Sequence, residues 1–187
     1  FKVPQAIKDD MIQAIKDDKT GYTQTAGIKE LKDKVLEKYA PSKFAEDVLI
    51  SSGVTGGLLL SYSAILEESD ELIVFDPYFV MYPDLCNFLG AKAVIVKTNP
   101  DFTVNLENLK NAITPKTKAI MINSPSNPTG HICSKEELEQ IIKVARENDL
   151  WIISDEVYQS FDYEKKFISA GELYGKTVVL GGFSKNL

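Results

Sequence analysis

Ala119-Ile120-Met121-Ile122-Asn123-Ser124-Pro125-Ser126-Asn127-Pro128-Thr129-Gly130 is a short apolar run that ends in a proline-punctuated turn. A continuous apolar run of this length suits a strand buried on both faces of a mostly parallel sheet. Its two X-Pro steps and closing glycine predict a rigid loop that aims the Asn127 side chain. Similar runs recur outward from it: Val48-Leu49-Ile50, Leu72-Ile73-Val74-Phe75, Ala93-Val94-Ile95-Val96, Trp151-Ile152-Ile153 and Val178-Val179-Leu180. Helical stretches separate several of them, over 55–67, over 105–113 and from Ser134 onward. The last begins with a capping box, Ser134 followed by Glu137, and sets Leu138, Ile141, Ile142 and Ala145 on one face. This alternation predicts an α/β domain of three layers, α/β/α, around a mostly parallel sheet. Ligands of such folds sit at the carboxyl ends of the strands.

Ahead of this region, Ile7, Met11, Ala14 and Ile15 share a face at helical spacing, and so do Ile28, Leu31, Val35 and Tyr39. Two amphipathic helices are expected, joined by the segment Tyr22 to Gly27, with Pro41-Ser42 ending the second. The division expected is an N-terminal helical part over residues 1–45 and an α/β domain over 46–187.

Composition narrows the function. The 187 residues carry a formal charge of −6 and a pI near 4.9, with no basic cluster, which disfavours nucleic acid and anionic membranes as partners. No apolar run approaches the roughly 20 residues that span a bilayer. The first ten residues show neither a signal pattern nor an initiator Met, and a cytoplasmic protein is expected. Cys86 and Cys133 form no CxxC pair and read as reduced thiols. The only histidine, His131, is read as outside any metal site, so no metal is expected. The chain ends two residues after Lys185 and is expected to be part of a longer protein.

The expected strand ends carry the polar residues of interest. Ser51-Ser52-Gly53-Val54-Thr55-Gly56-Gly57 runs straight into a helix, where glycines and free N–H groups favour a phosphate; a purely structural turn is the alternative. It lacks the GxGxxG spacing. Gly171 to Thr177 is one residue too short for a Walker A loop and precedes a strand rather than a helix, so it is discarded. Asp155 closes a buried strand in Ser154-Asp155-Glu156-Val157-Tyr158, where a carboxylate needs a positive partner or serves as a cap. Gly181-Gly182-Phe183-Ser184-Lys185 follows the last strand, and a lysine there is either solvated or used.

Taken in order, these stretches resemble the class I/II aminotransferases, pyridoxal-phosphate (PLP) enzymes of fold type I related to aspartate aminotransferase. The resemblance rests on Tyr22 to Gly27, the Gly53 loop, Asp76-Pro77-Tyr78-Phe79, Asn123 to Gly130, Ser154 to Tyr158 and Ser184-Lys185, and covers nearly the whole chain. It implies that Lys185 forms an imine with the PLP aldehyde and then moves the substrate proton. It implies that Asp155 pairs with the pyridine nitrogen, which makes the ring a better electron sink. Asn127 and Tyr158 would hydrogen-bond the ring's phenolic oxygen, and Phe79 would stack on the ring. Gly53, Val54 and Thr55 would form the phosphate cup with Ser184 beside the lysine, and Tyr22 would reach the partner subunit's phosphate in a homodimer.

The activity implied is amino-group transfer from an amino acid to a 2-oxo acid. Relatives of the same fold act instead as carbon–sulfur lyases or as non-catalytic regulatory domains, and the sequence leaves these open. Two departures stand out. Gly182 replaces a serine that often contacts the phosphate, and the family's two functional arginines lie beyond Leu187, Arg146 being the only arginine here. By itself the chain is therefore expected to be inactive.

Overall fold

Alternation of side chains along five strands divides the molecule into layers. The computed structural model describes residues 2–39, 44–45 and 47–185. Strands β1 (Glu71–Asp76), β2 (Lys92–Lys97), β3 (Thr117–Asn123), β4 (Trp151–Asp155) and β5 (Thr177–Leu180) form one sheet in the order β2-β1-β3-β4-β5. Every pairing is parallel.

Ile73, Ile120, Ile122 and Ile152 turn to one face and pack with Leu109 of α5 (Leu106–Ala112) and Leu138, Ile141 and Ile142 of α6 (Lys135–Glu147). Leu72, Val74, Ala119, Met121 and Ile153 turn to the other and meet Leu58 and Tyr62 of α3 (Gly53–Ile65) and Tyr82 and Cys86 of α4 (Met81–Phe88). Both faces are thus covered, which is why the strands read as unbroken apolar runs. This is the expected three-layer α/β/α arrangement. α3 lies so close to β5 that a Cβ on Gly57 would stand 3.0 Å from Leu180 Cδ2.

The strand order also locates a crevice. β1 lies between β2 and β3, so the chain steps to one side of β1 and then to the other. Loops leaving the carboxyl ends of β1 and β3 diverge there and leave room for a ligand.

Three elements differ from the sequence expectation. Residues 48–50 form no strand; Ile50 N–H donates to Ala26 O at 3.0 Å, but Leu49 is exposed and no ladder forms among the described residues. A β-rich triplet carries its propensity into a sheet only where a neighbouring strand pairs with it. α4 is an element that periodicity does not announce, because its eight residues give one apolar turn, Tyr82 and Cys86, and include Pro83. Proline is tolerated there because it lies in the first turn, where no helical donor is lost. Finally, only half of the expected capping box forms. Ser134 Oγ accepts the Glu137 N–H at 3.1 Å, but the Glu137 carboxylate turns away to Val104 N and His131.

The two leading helices form as expected, α1 over Gln5–Lys16 and α2 over Lys29–Tyr39. Neither has a fully buried residue, and Met11 and Ile15 of α1 are 62% and 63% exposed. The stop expected at Pro41-Ser42 lies outside the described residues.

If the two clusters are both true cores, Ile120→Ala and Leu72→Ala should each lower unfolding stability by about 2–5 kcal/mol. Leu60→Ala, on the exposed side of α3, should cost well under half of that. Urea midpoints at constant slope would check this, and equal losses at all three positions would contradict the layer assignment.

Candidate active site

Buried polar groups mark the carboxyl end of the sheet. β3 and β4 finish in register, Asn123 opposite Asp155. The Asn123 side chain donates through Nδ2 to Asp155 O at 3.0 Å and accepts the Asn127 N–H on Oδ1 at 2.7 Å. Ser124 N–H donates to the same Asp155 carbonyl at 3.2 Å. The loop then closes on itself, Gly130 N–H to Ser126 O at 2.8 Å and Ser126 N–H to His131 O at 2.9 Å. One amide side chain therefore fixes where Asn127 sits relative to Asp155.

Asp155 is 4% exposed. Its Oδ2 accepts the Tyr82 hydroxyl at 2.9 Å, and its Oδ1 accepts the Val157 N–H at 3.2 Å. Burial pushes its pKa above the usual carboxylate value, and those two hydrogen bonds pull it partly back. Among the described residues no cation forms an ion pair with it. Tyr82 is buried too, and burial first, with the Asp155 charge second, holds its hydroxyl protonated well above the ordinary range. Phe79 packs edge-on to Tyr82, with ring centroids 5.6 Å apart. Phe79 is half-buried.

The next residue anchors the turn. Glu156 N–H donates to Leu180 O at 2.8 Å, tying the end of β4 to the end of β5. Glu156 Oε1 accepts from Ser154 Oγ and Ser169 Oγ, both at 2.9 Å, and from Ala170 N–H at 3.1 Å. Burial raises its pKa to about 7.

Beyond β5, a Cβ on Gly182 would lie 3.4 Å from Val54 Cγ2, so this segment runs against the first turn of α3. Gly53 begins that helix at φ +67°, a left-handed conformation that glycine adopts without strain. Val54 is partly buried, whereas Gly53 and Thr55 face solvent. Lys185 Nζ stands 5.7 Å from the centre of the Tyr158 ring; Lys185 and Ser184 are exposed.

The fold thus gathers Phe79, Asn127, Asp155, Tyr158, Lys185 and the 53–55 turn at one end of the sheet. Tyr22, between α1 and α2, is fully exposed, and no described contact links it to this group. Asn123 and Tyr82 are structural members of the cluster that had no assigned role in the sequence reading. Asn123 had a signal in its position as the last residue of a buried strand. Tyr82 had none beyond its spacing of three residues from Phe79, because α4 itself was not legible.

The sequence reading gives His131 no nearby Cys or paired carboxylate; in the structure Cys133, two residues on, and Glu137, at the start of α6, stand beside it.

Comparisons with known proteins place the fold in a family. The family model for aminotransferase class I and II matches residues 1–187. The aspartate aminotransferase of Bacillus subtilis (strain 168) is 38% identical over 197 residues, covering 100% of this chain and 50% of that protein. The (5-formylfuran-3-yl)methyl phosphate transaminase of Methanocaldococcus jannaschii is 40% identical over 192 residues, covering 99% of this chain and 49% of that protein. A double mutant of Thermus thermophilus aspartate aminotransferase superposes with a TM-score of 0.92 at 35% identity, covering 99% of this chain and 50% of that one. The aromatic aminotransferase of Pyrococcus horikoshii OT3 gives 0.92 at 35% identity, covering 99% and 52%. This chain therefore spans about half the length of the relatives it matches.

Glu156 makes a pH-dependent prediction. Its folded pKa lies above the ordinary 4.5, so its contribution to stability is complete below pH 4.5 and is lost as pH rises through about 7. Glu156→Gln keeps an oxygen for the three donors and cannot ionise. It should match the native chain near pH 5 and exceed it by on the order of a few kcal/mol above pH 8. Melting temperatures of both proteins across that range would reveal it; parallel curves would count against a raised Glu156.

Proposed function

The chain belongs to the aminotransferase class I and II family, and from that premise we propose that it is the cofactor-binding part of a PLP-dependent amino-acid aminotransferase. In this reading residues 46–187 form the PLP-binding α/β domain and 1–45 its N-terminal helical part. The complete protein transfers an amino group from an amino acid to a 2-oxo acid. PLP, when bound, supplies the electron sink that stabilises negative charge on the substrate carbon.

The observation that carries the reading is Asp155. A carboxylate this buried, with neutral donors on both oxygens and no cation paired to it among the described residues, suits a ligand that brings its own positive charge. A protonated pyridine nitrogen is such a group. Asp155 then holds a proton at that nitrogen, in surroundings where low dielectric strengthens the pair. Tyr82 and Val157 keep its carboxylate oriented.

The other residues take the roles their positions permit. Lys185 supplies the primary amine that carries the cofactor and moves a proton at the substrate carbon. Asn127 and Tyr158 donate hydrogen bonds toward the cofactor's phenolic oxygen, and Asn127 is aimed by the Asn123 amide. Phe79 covers the ring. Val54 and Thr55 offer N–H groups and the Thr55 hydroxyl at the start of α3 for the phosphate, in the turn that Gly53 opens, with Ser184 nearby. Tyr22 and the apolar face of α1 are exposed in a single chain, which supports a homodimer in which Tyr22 reaches the partner's phosphate. None of the described helices is long and apolar enough to cross a membrane, and we assign the protein to the cytoplasm.

Titrating the complete protein with PLP should give a saturating visible band that Lys185→Ala lacks. Asp155→Ala should lower turnover by on the order of 10²-fold or more, the range expected for losing a group that controls a reacting proton. Incubation with amino acids and 2-oxoglutarate should yield glutamate; pyruvate and ammonia released without an acceptor would indicate a lyase instead. A visible band of equal intensity in Lys185→Ala would remove Lys185 from the proposal.

A further inference from the structure

Outside the strand-end cluster, three metal-ligating side chains meet where the 124–134 loop enters α6. His131 and Cys133 are two residues apart in the approach to the helix. Glu137 is the third residue of α6, the position from which a capping-box carboxylate normally returns to the cap's own N–H. Here it is turned instead toward Val104 and His131: Oε1 accepts the Val104 N–H at 2.7 Å, and Oε2 lies 2.9 Å from His131 Nε2. One ligand atom from each of His131, Cys133 and Glu137 falls within 4.8 Å of the others.

We propose that His131, Cys133 and Glu137 bind a borderline-soft divalent cation of the zinc(II) type, with a fourth position left for water. The donor set selects this class. Thiolate, imidazole and carboxylate are the three protein ligands of zinc, whereas magnesium and calcium take oxygen. The charges also balance, since one divalent ion against one thiolate and one carboxylate leaves a neutral centre. That suits a site in which Cys133 is buried and His131 and Glu137 are partly so.

The geometry is close to what zinc needs. With Zn–S near 2.3 Å and Zn–N and Zn–O near 2.0 Å, tetrahedral donors lie about 3.3–3.6 Å apart. The His131–Glu137 pair is already tighter than this, and the widest separation closes by roughly an ångström through side-chain rotation. On binding, the Cys133 thiol releases its proton to solvent, and the hydrogen bond between His131 and Glu137 gives way to one metal bond from each.

Outer contacts and access are present as well. Val104 N–H orients Glu137, and Ser124 Oγ accepts the Cys133 N–H at 3.0 Å, fixing the backbone of the thiol ligand. A solvent-open cleft lined by Asn99, Thr103, Asn105, Glu136 and Gln140 reaches His131 and Glu137. Bound metal would brace the 98–105 loop, α6 and the loop that carries Asn127 against one another. This site is independent of the aminotransferase reading.

The test uses the complete protein, stripped of metal and titrated with zinc(II) against a chromophoric chelator, with bound metal counted by elemental analysis. Native protein should take up a zinc ion that Cys133→Ser and His131→Gln each bind at least tenfold more weakly. Zinc should raise its melting temperature more than that of either variant, and magnesium should not. His131 is only partly buried, so His131→Gln carries the test if Cys133→Ser fails to fold. No uptake at micromolar free zinc, or equal uptake by native protein and His131→Gln, would overturn the site and leave His131–Glu137 as a hydrogen-bonded strap.

Discussion

The Asn123 amide holds the working end of the sheet together. Its nitrogen ties the end of β3 to the Asp155 carbonyl, and its oxygen receives the Asn127 N–H. A primary amide can do both because it presents a donor and an acceptor on one planar group. A carboxylate there would lose the bond to Asp155 O, and an apolar residue would lose both. Placement of Asn127 relative to Asp155 is thus a property of strand register rather than of loop flexibility. The register, in turn, is imposed by apolar faces that exclude a one-residue slip.

Two adjacent carboxyl groups, Asp155 and Glu156, are buried at that end and play opposite parts. Successive residues at a strand end point to opposite sides. Asp155 turns toward Tyr82 and Phe79 and, among the described residues, keeps only neutral donors, so a positively charged ligand would find its complement there. Glu156 turns toward Ser154, Ser169 and Ala170 and is fully occupied within the protein. The first is available chemistry. The second is a fastening that secures the 169–172 turn beside the 155–158 segment, and burial raises its proton affinity.

The same economy of short side-chain bridges shapes the outer edge. Glu137 departs from its helix-capping role because Val104 N–H and the His131 ring are better placed to receive it than the Ser134 N–H. The long β2–α5 connection is thereby pinned to α6, and its Asn99–Thr103 contact folds the intervening turn. What links the two regions is the single loop from Asn123 to Ser134, with Asn127 on one side and His131 on the other.

The layer class and most of the elements were legible in the residues alone, because unbroken apolar runs follow from strands buried on both sheet faces and helical periodicity from helices with one face against the core. Five of the six expected strands form, and Asp155, Asn127 and Lys185 were legible as polar residues at or just beyond strand ends. Tertiary structure alone decided the rest. Residues 48–50 have strand propensity but no ladder, α4 is too short for a periodic signal, and Glu137 had a stronger partner than its own cap. Tyr82 reaches Asp155 across 73 positions of chain, and His131, Cys133 and Glu137 converge only because the helix start turns them inward. Local sequence encodes the energy of single elements; contacts between elements depend on which partners the packed core brings within hydrogen-bonding range.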